Sequence, residues 1–111
     1  MERERRVFER MRQRLSCEVH YDGRRITGML LDVSARGLFI RTSSGAKPPV
    51  GTDFRVVLRG AGDGDIELVA RLARSRVVRR ELAIVASGGF GLELVSAPET
   101  YYAMLKPLAE R

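Results

Sequence analysis

The chain has no tryptophan, a single cysteine, a single histidine and only two lysines, and aromatic residues make up 6% of it. Each scarcity excludes something. One cysteine, Cys17, cannot form an internal disulfide and fits a reducing compartment, so a cytoplasmic location is expected. One cysteine and one histidine fall short of a zinc site. In a regular strand Cys17 and His20 would point to opposite faces, so they cannot pair, and the lone His20 is expected to face solvent. The longest apolar runs, residues 28–31 and 82–86, are far shorter than the roughly 20 residues that span a bilayer, so no membrane insertion is expected. "MERERR" at the start is charged and has no apolar segment behind it, which argues against a secretion signal. There is no Walker A sequence and no GxGxxG between a strand and a helix. Asp63, Asp65 and Glu67 adjoin a Gly-rich turn but lack the length and the terminal bidentate Glu of a calcium loop, so a solvated turn is the expectation. No metal, cofactor or reaction follows from these residues; the chain does not read as an enzyme.

What is present is arginine. Lys and Arg together number 20 against 14 acidic residues, for a formal net charge of +6, and only Lys47 and Lys106 are lysines. The planar guanidinium fork matches phosphate oxygens and the guanine edge, although a GC-rich genome would also enrich arginine. Position has to decide between the two. At 111 residues with 44% hydrophobic content, the chain has the size of one domain with one core.

Residues 1–14 form an Arg-rich arm in which Val7, Phe8, Met11 and Leu15 could make a helical stripe. From Leu15 the period becomes two: Leu15, Cys17, Val19 and Tyr21 alternate with Ser16, Glu18 and His20, the pattern of a half-buried strand. Asp22-Gly23 is a strong hairpin-turn signal, and the return strand runs from Arg24 to about Val33. A third strand covers Leu38–Thr42, a fourth begins at Phe54 after the loop "SSGAKPPVGTD", and a fifth runs from Ile66 with Val78 as its farthest extent. "RRELAIVASGG" at 79–89 shows no clear period, and Phe90, Leu92 and Leu94 mark a last strand. Ser96-Ala97-Pro98-Glu99 has the form of a capping box with proline in the first turn, so a helix is expected over about 97–110. Tyr101, Leu105 and Leu108 would face the body, and Pro107 would kink or fray the last turn. Six short strands and one terminal helix predict an all-β, small six-stranded antiparallel barrel over residues 15–111.

Two clusters carry candidate chemistry. Arg6-Val7-Phe8-Glu9-Arg10 is an RxxxR sequence just before the first strand. Asp32-Val33-Ser34-Ala35-Arg36-Gly37 is a D/NxSxxG sequence between two strands. Alone, each has an ordinary reading: arginine runs are solvated faces, and Asp and Ser cap backbone N–H groups in turns while Gly takes the left-handed conformation. Their order, the β-hairpin between them and the C-terminal helix together resemble the PilZ domain family, from about Arg5 to about Leu108. "GLFIRT", "PVGT" and "GFGLEL" strengthen the likeness.

The resemblance implies a split six-stranded barrel that binds the bacterial second messenger cyclic di-GMP. Arg6 and Arg10 would then bind phosphate and the guanine Hoogsteen edge, Asp32 and Ser34 would contact guanine and the ligand backbone, and Gly37 would supply the tight turn. Arg36 stands where many family members carry a small residue; it and Arg5 rank lower as ligand contacts. Arg10 to Arg14 offers a second RxxxR register, set aside because Arg14 leads straight into the strand. Elementary chemistry agrees: guanine offers acceptors on one edge to an Arg fork and donors on the other to a carboxylate. The expected mechanism is a ligand-driven change in the arm, read in trans by an unidentified protein effector. Two alternatives stand beside it. One is a PilZ-like adaptor that binds no nucleotide and works by protein contacts. The other is a basic nucleic-acid-binding barrel, against which Phe39, Phe54 and Phe90 count because they alternate like core residues and leave little for base stacking.

Overall fold

The computed structural model describes residues 11–43, 46–61, 64–76 and 88–109. Asp22 and Gly23 both have positive φ, 50° and 73°, as a two-residue turn matched to the right-handed twist of its flanking strands requires. They join β1 (Met11–Tyr21) to β2 (Arg24–Val33). β3 (Gly37–Arg41), β4 (Asp53–Leu58), β5 (Ile66–Arg76) and β6 (Gly89–Ser96) follow, and α1 (Glu99–Ala109) ends the described chain. All pairings are antiparallel and the sheet closes in the order β1-β2-β3-β6-β5-β4, with β4 returning to β1. Closure gives every strand a partner on both sides over part of its length, with β1 meeting β4 only over Cys17–His20.

The alternating apolar residues form the interior. Val19, Leu30, Leu38, Ile40, Phe54, Val56, Leu58, Ala70, Leu72, Phe90 and Leu92 are all buried in one cluster. Phe54 anchors it, stacked on Tyr21 with centroids 4.8 Å apart and set edge-to-face on Phe90 at 5.3 Å. From α1, Tyr101 and Leu105 enter the same core. Burying a side chain such as Leu or Phe contributes about 1.5–3 kcal/mol, so this interior is what holds the barrel closed.

Several boundaries differ from the sequence pattern. β1 starts at Met11 rather than Leu15, because a register shift between Arg12 and Leu15 carries the ladder past the point where alternation breaks. The remainder of the expected arm, with Arg5, Arg6 and Arg10, lies outside the described residues. Ser96 closes β6 and the helix begins at Glu99. It continues past Pro107 to Ala109, since a proline this close to the end removes a single helical hydrogen bond. Phe39 is not a core residue: it is half-buried, while its neighbours Leu38 and Ile40 are fully inside.

Three of the register shifts matter for the surface. Leu30 faces inward, and strict alternation would send Asp32 inward with it. The extra residue in β2, between Leu30 and Asp32, changes the phase, so Val33 is buried and Asp32 turns outward. In β5 the shift between Leu72 and Arg74 does the same for Arg74, which is exposed although it stands two residues after buried Leu72. In β6 Val95 is the extra residue opposite Val69 and Ala70 and is 49% exposed.

Candidate functional site

The turn between β2 and β3 is built around Ser34. Its hydroxyl accepts from the backbone N–H groups of Arg36 and Gly37, at 3.2 and 3.1 Å, and donates to the Gly37 carbonyl at 3.2 Å. Its own N–H reaches the same carbonyl at 2.9 Å. A hydroxyl has one hydrogen and two lone pairs, so that of buried Ser34 is fully committed to the turn. Tyr101 then fastens the turn from below, donating its buried hydroxyl to the Ser34 carbonyl at 2.8 Å. Burial holds the Tyr101 phenol well above its ordinary range, so it stays protonated as a donor. On the other side, the Leu94 N–H donates to the Arg36 carbonyl at 2.8 Å. The turn is therefore tied to both β6 and α1.

Gly37 has a role different from the expected one. Its φ is not positive. It is needed because a Cβ there would collide with the Leu92 carbonyl oxygen, which β3 approaches closely at the start of its pairing with β6. Gly91, in the facing strand, lies under the Arg74 side chain: a Cβ would sit 2.8 Å from both Arg74 Cγ and Nε. These two bare positions open a surface concavity of about 350 Å³, lined by Ser34, Arg36, Gly37, Arg74, Gly91 and Glu93 together with Ala73 and Leu92.

The structure thus brings Ser34, Arg36 and Gly37 to one concavity. Asp32 is beside it rather than in its lining, outward on β2 and paired in register with Phe39. Its half-buried carboxylate makes no hydrogen bond or ion pair among the described residues. Arg14, from the alternative motif register, is an exposed residue inside β1. Arg74 and Glu93 line this site and Phe39 neighbours it through its pairing with Gly91, and motif reasoning missed all three. "GFGLEL" contained Glu93 and Gly91, but nothing in the sequence marks the β5 register shift that turns Arg74 outward.

Away from this face, some charges are paired. Glu18 accepts from Arg59 at 2.8 Å and from His20 at 3.2 Å, with Arg25 at 3.9 Å. The Arg59 hydrogen bond is the main reason its carboxyl is held below the ordinary 4.5. His20 is accordingly half-buried and bonded rather than simply solvated. Asp65 accepts from the Gly60 N–H at 3.0 Å and from Arg59 at 2.7 Å, closing the turn that was expected to be merely solvated. Among the described residues no cluster of three or more His, Cys, Asp or Glu could hold a metal ion, and no helix is long and apolar enough to cross a membrane.

The family model described as the PilZ domain matches residues 4–110. The chain belongs to the PilZ domain family. Among solved structures it is similar to the Bacillus subtilis inhibitor of motility MotI/DgrA, with a TM-score of 0.76 at 19% identity, over 96% of this chain and 50% of that one. At that identity the likeness shows the fold alone, and this chain spans half the length of the MotI/DgrA chain. No curated protein sequence matches it. PilZ domains generally act as cyclic di-GMP receptors and adaptors rather than as enzymes, and the six-stranded closed barrel with its C-terminal helix is the PilZ fold.

Proposed function

We propose that this PilZ domain is a cytoplasmic cyclic di-GMP receptor that signals to a protein effector. The observation that carries the reading is the pairing of an acceptor with an open floor: the Asp32 carboxylate, without a hydrogen bond or ion pair among the described residues, stands beside a concavity floored by Gly37 and Gly91 and walled by Arg36 and Arg74. A guanine nucleotide needs this combination, a carboxylate for its N–H edge and guanidinium groups for its phosphates and Hoogsteen edge. Arg6 and Arg10 supply the remaining donors from the segment preceding β1, and Arg5 adds positive charge beside them. Ser34 acts by holding the turn. A direct ligand contact from it requires its proton to leave the Gly37 carbonyl.

Ligand binding would draw the N-terminal segment over the concavity, and the altered surface would be read by a partner in trans. A second reading, a PilZ adaptor that binds no nucleotide, is favoured by one feature only: the saturated Ser34 hydroxyl gives the turn a complete structural purpose without ligand.

Isothermal titration calorimetry with cyclic di-GMP separates the two. The receptor predicts saturable binding that weakens about 10- to 150-fold in Arg10→Ala, the equivalent of about 1.5–3 kcal/mol for a hydrogen bond to a charged group. Its stoichiometry distinguishes one ligand from an intercalated pair. A folded wild type that releases no heat refutes the receptor. Steep loss of binding with salt and indifference to guanine would instead mark a general polyanion surface. An unchanged pattern of amide hydrogen exchange in residues 1–14 on adding ligand would remove the arm switch while leaving the receptor intact.

A further inference from the structure

One row of outward positions crosses four strands of the barrel. Asp32 on β2 pairs in register with Phe39 on β3, Phe39 with Gly91 on β6, and Gly91 with Arg74 on β5. The middle of this row is a gap, because Gly91 has no side chain and lies between the outward ring of Phe39 and the stem of Arg74. Arg74 is exposed and makes no ion pair among the described residues, whereas Arg55, Arg59 and Arg71 each have an acidic partner at 2.8, 2.7 and 3.2 Å. Phe39 is half-buried, an aromatic turned out of the core on a strand whose other apolar residues are inside.

The dimensions of the gap define what fits it. β3 and β5 lie two strand spacings apart, about 9.6 Å. One flat ring sandwiched between two flat groups needs two contact distances, about 7–8 Å. A guanidinium is planar and stacks on aromatic faces, and an aromatic ring stacks on bases of any sequence. We propose that Phe39 and Arg74 form a clamp for one purine base of the ligand, seated over Gly91, with Asp32 on the far side of Phe39 from that base. At rest the Arg74 stem lies across Gly91. Entry of the base turns this exposed, unpaired side chain outward, which breaks no ion pair. Arg74 thereby contributes a face rather than only a charge, and it does so from a strand that carries neither sequence motif.

The clamp rests on the cyclic di-GMP reading above, and its test separates the two. Titrations of cyclic di-GMP into the wild type, Arg74→Ala, Arg74→Lys, Phe39→Leu and Phe39→Tyr are compared, with folding checked by circular dichroism. The clamp expects Ala and Lys at 74, and Leu at 39, each to weaken binding about five- to hundredfold, the range of losing a base-stacking partner, with Tyr at 39 close to wild type. Lysine keeps the charge but not the plane, so Arg74→Lys binding like the wild type would overturn the clamp in favour of a plain phosphate contact. Arg74→Ala binding like the wild type would overturn it outright. A second readout is independent of affinity: at saturating protein, a guanine H8 proton resonance should move upfield through the ring current in the wild type and not in Phe39→Leu, and equal shifts would refute the sandwich. A folded wild type that binds no cyclic di-GMP refutes the receptor and the clamp together; a wild type that binds, with variants at 39 and 74 unaffected, refutes the clamp alone.

Discussion

Replacing Tyr101 by Phe removes one oxygen atom and tests the join between α1 and the Ser34 turn. The ring is fully inside and its hydroxyl donates 2.8 Å to the Ser34 carbonyl, in a residue that is itself only 4% exposed. Without the hydroxyl that carbonyl loses its donor in a buried place, a loss of about 1–3 kcal/mol. For a domain of this size each kcal/mol lowers the melting temperature by about 4 °C. With a urea slope of about 1.5 kcal/mol/M, a loss near 1.5 kcal/mol moves the midpoint down by about 1 M. Tyr101→Ala should lose about 3–5 kcal/mol, since the ring's packing goes as well. Tyr102→Phe is the control: its side chain is 46% exposed, and its midpoint should stay within about 0.5 kcal/mol of wild type. Urea unfolding of the three variants at constant slope is the assay. Tyr101→Phe within about 0.5 kcal/mol of wild type would mean that the helix does not hold the turn through this bond.

Three further outcomes can be checked in the same way. Gly37→Ala should lose about 2–3 kcal/mol, because its Cβ meets the Leu92 backbone, whereas Gly91→Ala meets only the flexible Arg74 side chain and should change stability by less than about 0.5 kcal/mol; equal urea midpoints would contradict this. Glu18 has its folded pKa lowered, mainly by Arg59, so its contribution is complete above its ordinary 4.5 and is lost as pH falls through the lowered folded value. Stability measured between pH 7 and pH 3 should therefore fall less steeply in Glu18→Gln, and parallel pH profiles would refute the role of this pair. Burial pushes the Cys17 thiol up to about 12, so a thiol reagent should label it only after denaturation, and rapid labelling of the native protein would show that β1 opens far more readily than its packing implies.

Much of the barrel was legible from alternation. Cys17 and Val19 point inward and Glu18 outward as the period of two requires, and the Asp22-Gly23 turn has the positive φ that its residues announce. The D/NxSxxG segment was legible as a turn, and its Ser34 does cap backbone N–H groups. The reading of Phe39 as a core residue failed, because alternation from the inward Leu38 and Ile40 turns it outward. Alternation itself failed at the start of β1, because register is decided by pairing with a neighbour and not by one strand's own pattern.

The sequence by itself determined a small basic all-β domain of the PilZ family, its hairpin, its helix and the two motifs, because turn chemistry, period and charge are local properties of the chain. Tertiary structure alone decided which polar groups reach the face beside the Ser34 turn. Asp32 and Arg74 each stand two residues after a buried leucine, and both would point inward on an unbroken strand. One extra residue in β2 and another in β5 shift the phase and turn them out. The demand for glycine at 37 came from a neighbouring strand's carbonyl rather than from its own backbone angle. The Ser34 carbonyl found its donor 67 residues away, on α1. Pairing across strands and packing between distant segments are global properties, and they placed the acceptor, the arginine and the open floor on one surface.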